Sequence, residues 1–200
     1  NSDDESLDAL IARGVAQLTA YQNAAWAQRY AGRVRALAER ETALPGGDAT
    51  LPLARAAARS LLKLMAYKDE YEVARLYTAP DFREALQAQF DGELQLEFHM
   101  APPLLARPRN GQPPKKIVMG PWLLTTMRWL AKAKALRGGP LDLFGRTAER
   151  RMERALITEY EARLDALLQD LSSERQPLAA EIARVPLSMR GYGHVKLANV

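Results

Sequence analysis

The chain has 200 residues, 48% of them hydrophobic and 26% charged, with no cysteine and a net charge of +4. This length suffices for one domain, or two small ones, with a substantial core. The missing cysteines exclude disulfides, thiolate nucleophiles and Cys-ligated iron–sulfur clusters within the segment, and they fit a reducing cytoplasm. No apolar run approaches the roughly 20 residues of a membrane span.

The N-terminus, Asn1–Glu5, is polar and acidic and shows no signal peptide. The lack of an initiator Met suggests a processed or excised chain. The positive excess is modest and reads as spread along the chain. It suits a solvated surface, an acidic protein partner or nucleic acid.

The first segment reads as helix. Ser2 and Glu5 have capping-box spacing. Leu7, Ile11, Val15, Leu18, Trp26, Tyr30, Val34 and Leu37 then recur at three- and four-residue steps with one wider gap, predicting one apolar stripe against a partner helix. Pro45-Gly46-Gly47-Asp48 closes it as a loop. A second helix is expected from about Pro52, with Ala and Leu enriched from Leu53 to Tyr67. Helical spacing resumes at Tyr71, Ala74, Leu76 and Tyr77, and Pro80 breaks it. Asp81 is placed to cap a short helix holding Phe82, Leu86 and Phe90.

In the middle the period changes to two. Leu94, Leu96, Phe98 and Met100 alternate with Gln95, Glu97 and His99, as in a half-buried strand. Lys115 to Met119 is the expected returning strand after a proline-rich connection. Helix returns after Pro121, with Trp122, Leu123, Met127, Leu130 and Ala131 along one side. Gly138-Gly139-Pro140 punctuates. The clearest helix runs from Ala148 to Leu171, with a stripe of Met152, Leu156, Tyr160, Leu164, Leu167 and Leu171 and a Glu159–Arg163 pair. Ser172 or Ser173 is placed to cap a last helix through Ile182. The expected fold is mainly α: a single multi-helix domain with one β-hairpin inserted at about residues 93–119.

Few residues promise chemistry. His99 and His194 are the only histidines. No His-x-x-x-His or Glu-x-x-His pair offers a zinc site, and no Gly-x-Ser-x-Gly elbow or P-loop is present. His99 falls on the polar face of the expected strand. Arg190-Gly191-Tyr192-Gly193-His194 reads either as a tight reversal or as a place where backbone amides approach an anion. Lys68, Asp69, Glu70 and Glu72 lie beside Tyr67, Tyr71 and Tyr77. They form either a solvated helix boundary or a polar network, with Lys68 and Glu72 four apart. Arg146, Arg150, Arg151 and Arg154 crowd one helix start, where the macrodipole disfavours cations. Glu149 and Glu153 are near enough to compensate, and an acidic partner or a phosphate is the other option.

Five stretches carry a resemblance. They are Leu62–Tyr77 (LKLMAYKDEYEVARLY), Phe98–Leu105 (FHMAPPLL), Gly120–Trp122 with Leu136–Gly138, Phe144–Gly145 with Thr147–Arg154 (TAERRMER), and Arg190–Lys196 (RGYGHVK). Together they resemble the C-terminal region of bacterial indolepyruvate ferredoxin oxidoreductases, from about Tyr21 to the end. The resemblance implies a parent enzyme that oxidatively decarboxylates aryl 2-oxoacids, passing the acyl group to coenzyme A and electrons to ferredoxin. Thiamine diphosphate and iron–sulfur clusters would belong to other regions, and no catalytic residue of the family carries over. The chain is then expected to be a cytoplasmic accessory domain with no cofactor of its own. Its partners would be other domains or subunits of the oxidoreductase, or ferredoxin, and neither nucleic acid nor membrane. The expected functional surface is Lys68, Asp69, Glu70, Arg150, Arg151, Arg190, His194 and Lys196. A ferredoxin-docking module and a coenzyme A- or carboxylate-binding module are the alternatives.

Overall fold

The computed structural model describes residues 5–89, 98–100, 117–120, 122–137, 139, 142, 144–145 and 147–189. The described residues are mainly helical: α1 Leu7–Tyr21, α2 Ala24–Thr42, α3 Pro52–Met65, α4 Glu70–Thr78, α5 Pro80–Gln89, α6 Trp122–Lys132, α7 Ala148–Gln169 and α8 Gln176–Ser188. None of them is long and apolar enough to cross a membrane. The sequence predicts one domain; the chain divides into two compact units, Asn1–Tyr67 with Arg146–Val200, and Lys68–Gly145.

In the first unit α3 is the hub. It packs against α1, α2, α7 and α8. Its leucines and alanines are buried, from Leu53 and Ala54 to Leu64 and Met65, and the stripe of Arg55, Arg59 and Lys63, at four-residue steps, reaches solvent. Small alanines let its neighbours approach closely. The single helix expected over the first 37 residues is two. The wider gap in the stripe is a break at Gln22 and Asn23. Asn23 is extended and its side chain accepts from the Trp26 amide, so it caps α2. Ser6 caps α1 by accepting from the Ala9 amide, and Ser2, expected in a capping box with Glu5, lies outside the described residues. The two helices meet closely at Gly14, where a Cβ would lie 2.6 Å from Tyr30 Cζ and 2.7 Å from its hydroxyl.

Side chains close the polar ends of this core. Tyr21 donates to the Tyr67 carbonyl at 2.9 Å and Trp26 Nε1 to that of Met65 at 3.2 Å, which satisfies groups at the C-terminal end of α3. Pro186 inside α8 removes the amide that would bond the Ile182 carbonyl. At the next carbonyl, Ala183, the hydroxyls of Ser60 and Tyr160 both donate at 2.7 Å. Arg33 pairs with Asp165 through two bonds of 2.6 and 2.7 Å. Four residues earlier on both helices, Arg29 pairs with Glu161. The Arg33 bond lowers the Asp165 carboxyl below its usual value.

In the second unit α4 packs on α5 and α6, with the 3-10 turn Ala133–Leu136 beside them. Ala74, Leu123 and Met127 form its small core. α5 starts at Pro80, one residue ahead of the Asp81 expected to cap it, and Tyr77 meets Phe82 edge to face at 5.2 Å. Phe98–Met100 and Ile117–Met119 pair antiparallel, with Phe98 opposite Met119. The other residues of the hairpin expected over about 93–119 lie outside the described residues. Trp122 leaves the inward line expected of it. It is 62% exposed, because helical geometry puts Leu123 and Met127, four apart, on the buried side.

Candidate functional site

The charged run after Tyr67 folds as a buried network. Asp69 is extended and caps α4, its Oδ1 accepting from the Glu72 amide at 2.8 Å. The same carboxylate takes a bidentate bond from Arg137, which arrives from beyond the 3-10 turn with Nη2 at 2.7 Å. Both side chains are only 3% exposed. The guanidinium lies 5.4 Å from the centre of the Tyr71 ring. The Tyr71 hydroxyl donates to Asp142, whose Oδ1 also accepts from the Phe144 and Gly145 amides. Phe144 packs edge to face on Tyr71 at 5.4 Å. Burial first, and then the Asp142 carboxylate, push the Tyr71 phenol up to about 12.

This geometry corrects one expectation. Lys68 is exposed and precedes the cap, so it shares no helical face with Glu72. Glu72 instead accepts from Arg75 at 2.7 and 2.8 Å. With both side chains of the Asp69–Arg137 pair buried, the pair is closed to solvent, and removing either partner would leave the other's charge uncompensated.

In the first unit the arginine cluster is not one surface. Thr147 caps α7 by accepting from the Arg150 amide. Arg150 is buried, with its guanidinium 5.8 Å from the Tyr67 ring centre and 3.8 Å from Glu149. Arg151, the next residue round the helix, is exposed. Arg190, His194 and Lys196 lie outside the described residues, as does Arg146.

Sequence reasoning missed the most saturated polar group in this unit. Glu41, 1% exposed, accepts from the amides of Leu53 and Ala54 and from Gln176 Nε2, each at 2.8 Å. Gln176 in turn accepts from the Asp48 amide at 2.7 Å. Leu51, the cap position of α3, sits in the left-handed region at φ 54° and has no side chain able to cap. Glu41 therefore supplies from α2 the acceptor that a serine or aspartate would supply locally. A signal was present: Glu41 continues the Val34, Leu37 stripe at a helical step, so a carboxylate stands where an apolar residue belongs.

A cavity of about 410 Å³ opens beside α7 and α8 between Leu167, Leu171, Leu178 and Ile182, with Arg163 and Arg175 at its edge. Among the described residues no group of three or more His, Asp or Glu is placed to hold a metal ion. Neither the curated proteins nor the solved structures contain a match. One family model, DUF6537, described as a family of unknown function, matches residues 7–200. That span is nearly the whole sequence, and the chain belongs to this family.

Proposed function

We propose that the chain is an accessory domain of an indolepyruvate:ferredoxin oxidoreductase. It assembles with the regions that hold thiamine diphosphate and the iron–sulfur clusters, and this segment carries no complete catalytic centre. One observation carries the non-catalytic part of the reading. Three buried charged groups, Asp69, Arg137 and Glu41, have polar atoms committed to helix caps, to one another or, for Glu41, to the Gln176 amide. The five sequence stretches support the parent family. The same reading takes the strand pair as the base of a hairpin over about 93–119 and puts the protein in the bacterial cytoplasm. The test is to combine the full chain with the thiamine-containing regions and follow indolepyruvate-dependent ferredoxin reduction. A stoichiometric complex with altered turnover is expected; no complex and unchanged turnover overturns the proposal.

A second reading, docking of an acidic protein such as ferredoxin, is favoured by the charge distribution. The excess is not spread along the chain. Residues 98–141 hold eight Lys and Arg and no Asp or Glu, which leaves the remainder of this +4 chain at −4. Binding that weakens with added salt is expected. The coenzyme A alternative rests on Arg190 and His194, and calorimetry with coenzyme A and with indolepyruvate tests it.

A further inference from the structure

We propose that the outer face of α6 is the docking surface for an acidic protein partner, with Trp122 and Trp129 as its anchors. The inference rests on the docking reading above and gives it a place. Trp122 is 62% exposed and Trp129 71%. Seven residues apart, they project from the same side of the helix, about 10 Å from each other along its axis. The core does not require them, since Leu123 and Met127 on the other side are the residues that pack with Ala74. Arg128 and Lys132 are exposed beside them, and the Lys132 ammonium lies 5.4 Å from the Trp129 ring centre.

Two large aromatic groups left in water along one line form an apolar patch of the kind that marks an interaction site. Tryptophan and arginine are the side chains most enriched among the residues that dominate protein–protein binding. The surroundings specify the sign of the partner. Helix α6 itself carries the exposed Arg128 and Lys132 and no carboxylate, so a facing surface rich in Asp and Glu is attracted to this face.

Three other occupants fit less well. A second copy paired face to face would set Arg128 and Lys132 against themselves. A bilayer favours a continuous apolar face, whereas the exposed Thr125 and Thr126 lie between the two rings. Single-stranded nucleic acid stacks successive bases, and rings about 10 Å apart are too widely spaced for neighbouring bases about 3.4 Å apart.

The experiment titrates the full chain with four probes, reading tryptophan emission and calorimetric heat. The probes are the thiamine-containing regions of the oxidoreductase, an acidic ferredoxin, phosphatidylglycerol vesicles and oligothymidylate. At least one protein probe is expected to bind with a blue shift in emission. W122A/W129A should weaken that binding by about thirty-fold or more. R128E/K132E should weaken it and flatten its salt dependence. Arg35→Glu, an exposed cation on α2, should leave it unchanged. Circular dichroism verifies that each variant is folded. If both α6 variants bind the protein probes as tightly as the unchanged chain, this surface is wrong and the docking reading survives. If the unchanged chain binds neither protein probe, or binds only vesicles or oligothymidylate, both fall.

Discussion

Replacing Glu41 by alanine should cost more than any other single carboxylate deletion in the first unit. The side chain is 1% exposed and accepts three hydrogen bonds at 2.8 Å, two of them from the first turn of α3. Bonds to a charged group contribute about 1.5–3 kcal/mol each, and an absent helix cap about 1 kcal/mol. These terms overlap, because the same two amides are counted in both. Gln176 Nε2 keeps one acceptor, the Asp48 carbonyl at 3.2 Å. A net loss of about 4 kcal/mol follows, equivalent to a fall in Tm of about 10 °C for a chain of this size. Glu41→Gln should lose about half as much, since an amide keeps one oxygen but turns a donor toward the other α3 amide. Glu39→Ala, exposed on the same helix, should stay within about 0.5 kcal/mol. Urea unfolding followed by circular dichroism measures all three. A Glu41→Ala variant within about 1 kcal/mol of the parent would refute the trans-capping argument. So would a double-mutant cycle with Gln176→Ala that shows no coupling.

Gly14→Ala should destabilise by about 1–3 kcal/mol, because its Cβ overlaps the Tyr30 ring. Tyr30→Phe should be neutral or stabilising, since the buried hydroxyl has no hydrogen-bond partner among the described residues; a loss above about 1 kcal/mol in that variant would contradict this. Asp69→Asn keeps an acceptor for the α4 cap but strips the charge from Arg137. It should cost about 3 kcal/mol and speed hydrogen exchange in α4; unchanged exchange would show the pair to be dispensable. Burial pushes the phenols of Tyr30, Tyr71 and Tyr160 up to about 12. Since each folded-state value lies above the unfolded value of about 10, their stability contribution is complete below pH about 10 and is lost as pH rises toward 12. Ultraviolet titration of phenolate should show a late-ionising class of tyrosines that disappears on unfolding.

The legible parts of the fold were those written in local periodicity. Pro52 at a helix start, the Ala-rich run of α3 and the Tyr160, Leu164 stripe of α7 all state their conformation within a few residues. The break between α1 and α2 was recorded only as a gap in a stripe, and Asn23 as a cap was hidden inside it. Long-range partners left weaker traces. Nothing near Asp69 announces Arg137, 68 residues away, and nothing near Glu41 announces Gln176. The exposure of Trp122 is not legible locally, because an aromatic residue at a helix start suits either side until the neighbouring turn fixes the phase. The charge asymmetry was fully present in the sequence. It emerges when the signs are counted by segment and vanishes in the total.

The first unit is interrupted by the 78 residues from Lys68 to Gly145. This has a consequence for synthesis. Helix α3 leaves the ribosome well before α7 and α8, the helices that complete its cover. At about 5–20 residues per second the delay is on the order of ten seconds. Throughout that interval the α3 faces later covered by α7 and α8 have no native partner. The ring of Tyr67 likewise waits for Arg150, which joins the two sides of the interruption. An order of assembly is thereby imposed: α1, α2 and α3 and the intervening unit can pack early, while the first unit cannot be completed until α7 and α8 follow. A nascent chain stalled near residue 140 would be bound by a holding chaperone at α3, and release would follow translation of α8.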